Sequence, residues 1–167
     1  RLKADFGFHN WPLPEGARLR GSDGLRSPVT GLNHALDGIE GGGLGAALAC
    51  YDEAPTYALQ REQVGRPIAS FQLVQAKLAR MLTELTKAQL LAFRLAQLKD
   101  AGTARHYHIS MAKMDNVKVA LDLARRARDI LGGGGLRDAR KCFRHMCKPD
   151  SAQTHEGTAG IHMPVMG

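Results

Sequence analysis

Aromatic residues make up only 5% of this 167-residue chain, and Trp11 is its one tryptophan. A core short of aromatics must be filled with aliphatic side chains, which favours helical over sheet-like packing. The three cysteines, Cys50, Cys142 and Cys147, form an odd set with no staple pattern. That excludes a disulfide scaffold and fits a reducing compartment. No apolar run reaches the roughly 18 residues needed to cross a bilayer. The opening Arg1-Leu2-Lys3-Ala4-Asp5 leads into no signal-peptide apolar stretch. Acidic residues are also in deficit, 16 against 23 Lys and Arg, for a net charge of +7. A positive field attracts anions. Phosphate-bearing small molecules, nucleic acid, acidic partners and a plain solvated surface all stay open, because the basic residues are spread along the chain rather than gathered in one tail.

What is present suits one domain with one core: 44% of residues are hydrophobic, and glycine, at 19 residues, is clustered in Gly41-Gly42-Gly43 and Gly132-Gly133-Gly134-Gly135. Residues 1–28 carry Phe6, Phe8, Trp11, Pro12, Pro14 and Pro28. Phe6 and Phe8 alternate as in a strand, and the prolines then make a turn-filled connector. That strand has no sheet to join within the chain, so it pairs with something outside or stays irregular.

A first helix is predicted over about residues 30–60, with Leu32, Leu36, Ile39, Leu44, Leu48, Tyr51 and Tyr57 as its apolar landmarks. The triple glycine weakens its middle, and Pro55 is expected to kink or end it. The second helix has the strongest pattern, Phe71, Val74, Leu78, Met81, Leu85, Ala88, Leu91, Leu95 and Leu98 at steps of three and four. Lys99-Asp100-Ala101-Gly102 stops it. A third places Ile109, Ala112, Val117, Ala120, Leu123, Ala127, Ile130 and Leu131 inward and a basic face of Lys113, Lys118, Arg125, Arg126 and Arg128 outward. Phe143 and Met146 suggest a short fourth helix ended by Pro149, and Gly160 with Pro164 make any helix after Thr158 a poor one. Long helices on short connections imply an all-α, antiparallel up-and-down bundle.

Several clusters could carry chemistry. Arg61-Glu62-Gln63-Val64-Gly65-Arg66-Pro67 sits before a helix start. Its two guanidiniums, with backbone N–H groups and the helix dipole, could hold a pyrophosphate, or the segment is an ordinary charged loop. The run from Gly132 follows a helix and no Lys-Ser/Thr pair follows it, which excludes the phosphate loops of nucleotide-binding sheets. It is either a place where bare backbone meets a ligand or subunit, or a flexible linker. Cys142, His145 and Cys147 have no standard zinc spacing, so no metal is expected. His106 and His108, two apart, belong to different helix faces and are read as surface residues. Glu156, in Thr154-His155-Glu156-Gly157-Thr158, is flanked by small residues that leave room for a flat ligand. Desolvation could raise such a carboxyl towards the pKa of a base that removes a carbon-bound proton. A helix cap or a solvent-facing carboxylate is the alternative.

Taken in order, Tyr57-Ala58-Leu59-Gln60-Arg61-Glu62-Gln63-Val64-Gly65-Arg66-Pro67, Phe71-Gln72, Ala127-Arg128-Asp129-Ile130-Leu131-Gly132-Gly133, Arg144-His145-Met146 and Glu156-Gly157-Thr158 resemble the C-terminal helical domain of acyl-CoA dehydrogenases. The glutaryl-CoA dehydrogenase branch looks nearest. The resemblance implies that residues 1–28 are the end of a middle β-domain with its linker. Residues 29–167 would then be the FAD-binding helical bundle, continuing past Gly167 in the family. It implies an FAD-dependent enzyme, usually a homotetramer, in the mitochondrial matrix or bacterial cytoplasm, that passes electrons to an acceptor such as electron-transfer flavoprotein. Nucleic acid is not an implied partner.

By the same resemblance Glu156 matches the base that takes the α proton from an acyl-CoA thioester, and hydride leaves the β carbon for the flavin. In the glutaryl branch the product also loses carbon dioxide and becomes crotonyl-CoA. Arg61, Gln63 and Gln72 match residues that reach the FAD phosphates and adenosine across a subunit interface. Asp129 and Gly133 match contacts from the facing subunit, and Thr158 a cofactor contact just past the base. The chain departs from the family pattern at Leu36, Gly41, Val64, Gly134, Ala139-Arg140, His155 and Ala159-Gly160. A non-catalytic helical assembly module, or an enzyme fragment derived from the family, is the alternative function.

Overall fold

Apolar side chains recurring at helical spacing fold into three long helices in a computed structural model that describes residues 5–22, 24, 26–137, 142, 144–146, 152–154 and 157–167. Helix α1 (Arg26–Gln60) is the longest. It starts four residues earlier than the periodicity predicts, because Pro28 falls in the first turn, where a missing N–H costs no hydrogen bond. Within residues 26–40 the described side chains are those of Ser27, Gly31, Ala35 and Gly38.

Neither glycine nor proline breaks α1. Pro55 lies inside it, one residue beyond Ala54 and three before Ala58, both fully buried. Packing of that face holds the helix through the proline, and the Thr56 hydroxyl donates to the Asp52 carbonyl at 3.1 Å on the same turn. Among the described side chains of α1 the core-facing stripe differs from the expected landmarks, of which Leu32, Leu36 and Ile39 lie outside the described side chains. The stripe is Gly43, Ala47, Cys50, Ala54 and Ala58, while Leu48 is exposed and Leu44, Tyr51 and Tyr57 are half-buried flanks. Opposite lies α3 (His106–Leu131), with Ala120, Ala124 and Ala127 fully buried. A Cβ at Gly43 would meet the Ala120 Cβ at 3.7 Å, an ordinary van der Waals contact.

A two-residue hairpin turns the chain from α1 into α2. Strands β1 (Glu62–Gln63) and β2 (Arg66–Pro67) pair antiparallel, Gln63 opposite Arg66. The turn residues Val64 and Gly65 both have positive φ, 53° and 73°, as a type I′ turn requires. Helix α2 (Gln72–Asp100) buries Met81, Leu85, Ala88 and Leu95 as its pattern predicts. Each large member contributes about 1.5–3 kcal/mol relative to exposure. It ends where expected: Gly102 takes φ 66°. Thr103 N–H returns to Leu98 O and Gly102 N–H to Lys99 O, both at 2.9 Å, a Schellman closure.

Helix α3 packs on both α1 and α2. All eight of its predicted inward residues lie at or near zero exposure or below one-tenth. Lys113 does not belong to the outer basic face assigned to it; it is 2% exposed. The spacing Ile109, Lys113, Asn116, Ala120, Leu123, Ala127 places it in the apolar stripe itself. A short helix α4 (Ala159–Met166) then packs back on α3 despite containing Pro164. Residues 5–22 hold only a single 3₁₀ turn, Glu15–Ala17, and Phe6, Phe8 and Trp11 are exposed. Phe6–Phe8 is irregular, as expected for a strand with no partner among the described residues.

Candidate functional site

The hairpin and the first turn of α2 form one side of an open groove of about 690 Å³. No side chain caps α2 at its N-cap residue Phe71; Val74 N–H bonds to Phe71 O at 3.0 Å, and the positive end of the helix dipole lies at Gln72 and Leu73. Gln72 and Arg66 line this groove with Lys77, and Asp129 closes it from α3. The Arg66 guanidinium sits 4.3 Å from the centroid of the Phe71 ring, a cation–π contact that fixes its direction. Lys77 donates to Asp129, which also lies 3.6 Å from Arg128. The Lys77 hydrogen bond holds the Asp129 carboxyl below its ordinary value. Arg61 and Gln63 stand exposed on the hairpin, and Arg61 O accepts from Ile68 N–H at 2.8 Å, which ties the hairpin to the approach of α2.

The glycine run continues α3 as a 3₁₀ turn, Gly132–Leu136. Gly133 is exposed, while a Cβ on Gly135 would fall 2.6 Å from the Arg128 carbonyl oxygen. The run is therefore a packed turn rather than a flexible linker.

Thr158 lies elsewhere. With Lys113, Asp115, Lys118 and Thr154 it lines a second groove of about 490 Å³ between α3 and the start of α4. Lys113 Nζ donates to the Gly157 carbonyl, and Gly157 has φ 109°, a region that favours glycine. His162 Nδ1 and Ser110 Oγ are 3.1 Å apart in a buried pair. Glu156 and His155 lie outside the described residues, as does Cys147. The predicted set thus divides: Gln72 and Asp129 share one groove, Arg61 and Gln63 sit on the hairpin beside it, Gly133 follows α3, and Thr158 is in the other groove.

Of the remaining candidates, Cys142 is fully buried and its Sγ donates to Glu53 Oε2 at 3.3 Å. Hydrogen bonding with Cys50, then burial, then the Glu53 carboxylate push its thiol well above the ordinary value. A thiol so held is a poor nucleophile and a poor metal ligand. Among the described residues no group of three His, Cys, Asp or Glu could hold a metal ion. His108 caps α3, its Nδ1 accepting from Arg105 N–H at 3.0 Å, and His106 is exposed. Among the described residues no helix is long and apolar enough to cross a membrane.

The sequence pattern of the acyl-CoA dehydrogenase C-terminal domain matches residues 22–167. The chain belongs to the acyl-CoA dehydrogenase family. It is 34% identical over 140 residues to glutaryl-CoA dehydrogenase of Desulfococcus multivorans, covering 83% of this chain and 36% of that protein. It is also 34% identical over 161 residues to the mitochondrial short-chain specific acyl-CoA dehydrogenase of Bos taurus, covering 95% of this chain and 39% of that one. The fold matches glutaryl-CoA dehydrogenase from Mycobacterium smegmatis with a TM-score of 0.90 at 43% identity, over 93% of this chain and 40% of that one. A second M. smegmatis structure, in complex with FADH2, matches with the same TM-score at 39% identity, over the same shares of both chains. The chain spans about two-fifths of the length of these relatives. Those relatives include both mitochondrial and bacterial proteins.

Neither Lys113, Ser110 and His162 nor the Lys77–Asp129 pair emerged from motif reading. The heptad-like register of α3 carries a signal for Lys113, a charge at a position where the pattern demands an apolar residue. No comparable signal marks His162, whose helix has almost no amphipathic pattern.

Proposed function

We propose that this chain supplies the C-terminal part of an FAD-dependent acyl-CoA dehydrogenase site, with glutaryl-CoA as substrate and crotonyl-CoA and carbon dioxide as products. The observation that carries the reading is the hairpin groove. An uncapped helix N terminus and the ring-stacked Arg66 line it beside Gln72, with the exposed Arg61 at the base of the adjoining hairpin. These residues fit a dinucleotide: N–H groups and guanidiniums suit the pyrophosphate, and amide side chains suit hydroxyls and ring nitrogens. Asp129, already neutralised by Lys77, adds an acceptor without repelling phosphate. FAD, when bound, accepts the hydride leaving the β carbon.

The chain's own part in the reaction is proton removal and positioning. Glu156 takes the α proton, and the electron pair of that C–H bond forms the α,β double bond as hydride departs. Thr158 lines the groove beside α3 and presents a hydroxyl to the cofactor. Thr158 and the hairpin set line separate grooves, which supports a cofactor shared between copies of the chain. Exposed Leu82, Leu90 and Phe93 on α2 supply apolar surface for such a homotetramer. A soluble electron acceptor of the electron-transfer flavoprotein kind would reoxidise the enzyme, in the mitochondrial matrix or bacterial cytoplasm.

The test is spectroscopic. The protein is loaded with FAD, gel-filtered and mixed with glutaryl-CoA. Flavin bands co-eluting with an oligomer and bleached by glutaryl-CoA are expected, with carbon dioxide released. Glu156→Gln should keep the flavin and lose bleaching; normal bleaching in that variant would sink the assignment. Bleaching by butyryl-CoA but not glutaryl-CoA would keep the family chemistry and reject the substrate. An oligomer without flavin would favour the assembly-module reading.

A further inference from the structure

Lysine is seldom fully buried, because its ammonium must find a partner that replaces water. Lys113 is 2% exposed and donates to a backbone carbonyl. That carbonyl belongs to Gly157, one peptide bond beyond Glu156. One turn earlier on the same face of α3, Ser110 Oγ meets His162 Nδ1 at 3.1 Å, and both residues are buried. The His162 ring lies against Gly157: a Cβ there would be 3.0 Å from Nε2 and 3.4 Å from Cε1. Gly157 is thus gripped from two sides, by Lys113 on its carbonyl and by the His162 ring over its α carbon.

The segment needs such a grip. Helix α4 is eight residues long, has no side-chain N-cap, and contains Gly160 and Pro164. A helix of that length and composition has little stability of its own. Its position must come from contacts with α3, and those two contacts fix His162 in its first turn and Gly157, two residues before it.

We propose that Lys113, assisted by the Ser110–His162 pair, is a positioning residue that sets the aim of the proton-abstracting carboxylate by holding the Gly157–Thr158 backbone. The proposal rests on the acyl-CoA dehydrogenase reading for the role of Glu156, while the grip itself rests on geometry alone.

The experiment uses the full chain, loaded with FAD, as wild type, Lys113→Met, Lys113→Arg and Ser110→Ala. Hydrogen exchange of residues 157–162 and the rate of flavin bleaching by glutaryl-CoA are measured together. In Lys113→Met these amides should exchange faster by roughly tenfold or more, with the hairpin at 62–67 unchanged. Bleaching should slow on the order of 10- to 100-fold, as expected for a misplaced reacting group. FAD content and the half-saturating acyl-CoA concentration should hold. Lys113→Arg, which keeps a donor, should recover most of the rate. Ser110→Ala should repeat the pattern more weakly and serves as the test if Lys113→Met does not fold. Unchanged exchange in a folded Lys113→Met would overturn the proposal. So would faster exchange with an unchanged bleaching rate. A wild type that binds FAD yet is bleached by no acyl-CoA would instead overturn the parent reading and the catalytic half of the proposal, leaving the exchange data to decide whether the grip exists.

Discussion

The hairpin groove and the Gly157–Thr158 turn lie at two separate places on the bundle and are built in opposite ways. On the hairpin side of the groove, contacts join close neighbours in the chain: Gln63 pairs with Arg66, Arg66 stacks on Phe71, and Arg61 O closes the loop on Ile68 N–H, while Lys77–Asp129, 52 residues apart, ties the far side to α3. Around the turn, the holding contacts span 44 residues from Lys113 to Gly157 and 52 from Ser110 to His162. Local contacts form wherever the segment folds, so the hairpin itself depends little on the rest of the bundle, while the α3 wall of the groove depends on helix packing. The turn depends on the register of α3, and any slip of that helix would move it.

The most damaging test of this contrast is Gly157→Ala. Its φ of 109° and the nearby His162 ring leave no relaxed place for a Cβ. A loss of about 1–3 kcal/mol is expected in urea unfolding. Gly65→Ala in the hairpin also forces a side chain into positive φ, but into open space, and should cost about 1 kcal/mol. Equal losses at the two glycines would break the comparison. Val64, β-branched at φ 53°, is the one strained residue of the groove's hairpin. Val64→Asn should stabilise by up to about 1 kcal/mol, since asparagine tolerates that region.

The smallest effect belongs to Lys77 and Asp129, a partly exposed pair. A double-mutant cycle should give about 0–1 kcal/mol, shrinking in high salt. Because the folded pKa of Asp129 is lowered from 3.8, its contribution is present above that value and is lost as pH falls through the folded value. Stability curves of wild type and Asp129→Asn should therefore converge only in strongly acid solution. Convergence already at pH 6 would remove the pair from the account.

Much of this architecture was legible in the sequence because large apolar residues at three- and four-residue steps report a buried face directly. Met81, Leu85 and Leu95 on α2, and Ile109, Leu123 and Ile130 on α3, are such reports. The stop at Gly102 was legible through turn chemistry, whereas the sequence marks residues 61–67 only as a loop before a helix start and does not announce the hairpin. Helix α1 was misread because its buried stripe consists of glycine, alanine and cysteine, whose small side chains stand out little against the more hydrophobic leucines on its flanks. Pro55 pointed to a break that tertiary packing overrides. Lys113 was placed on the surface because its charge was given more weight than its register. The resemblance divides the cofactor contacts between facing subunits, but chain order cannot reveal that Thr158 and Gln72 open onto different grooves. Glu156, the proposed base, lies outside the described residues.

The seam between α1 and α3 has a further consequence for how this protein tolerates mutation. Where Ala54, Ala58, Ala124 and Ala127 are fully buried, there is little side chain to remove and no room to add one. In a library of random substitutions, this seam should accept glycine, alanine, serine or cysteine and reject almost everything larger. Positions on α2 such as Met81 should instead exchange among several bulky aliphatic residues. A lineage could therefore rebuild the α2 face many times over, while the α1–α3 seam records the same few small residues throughout.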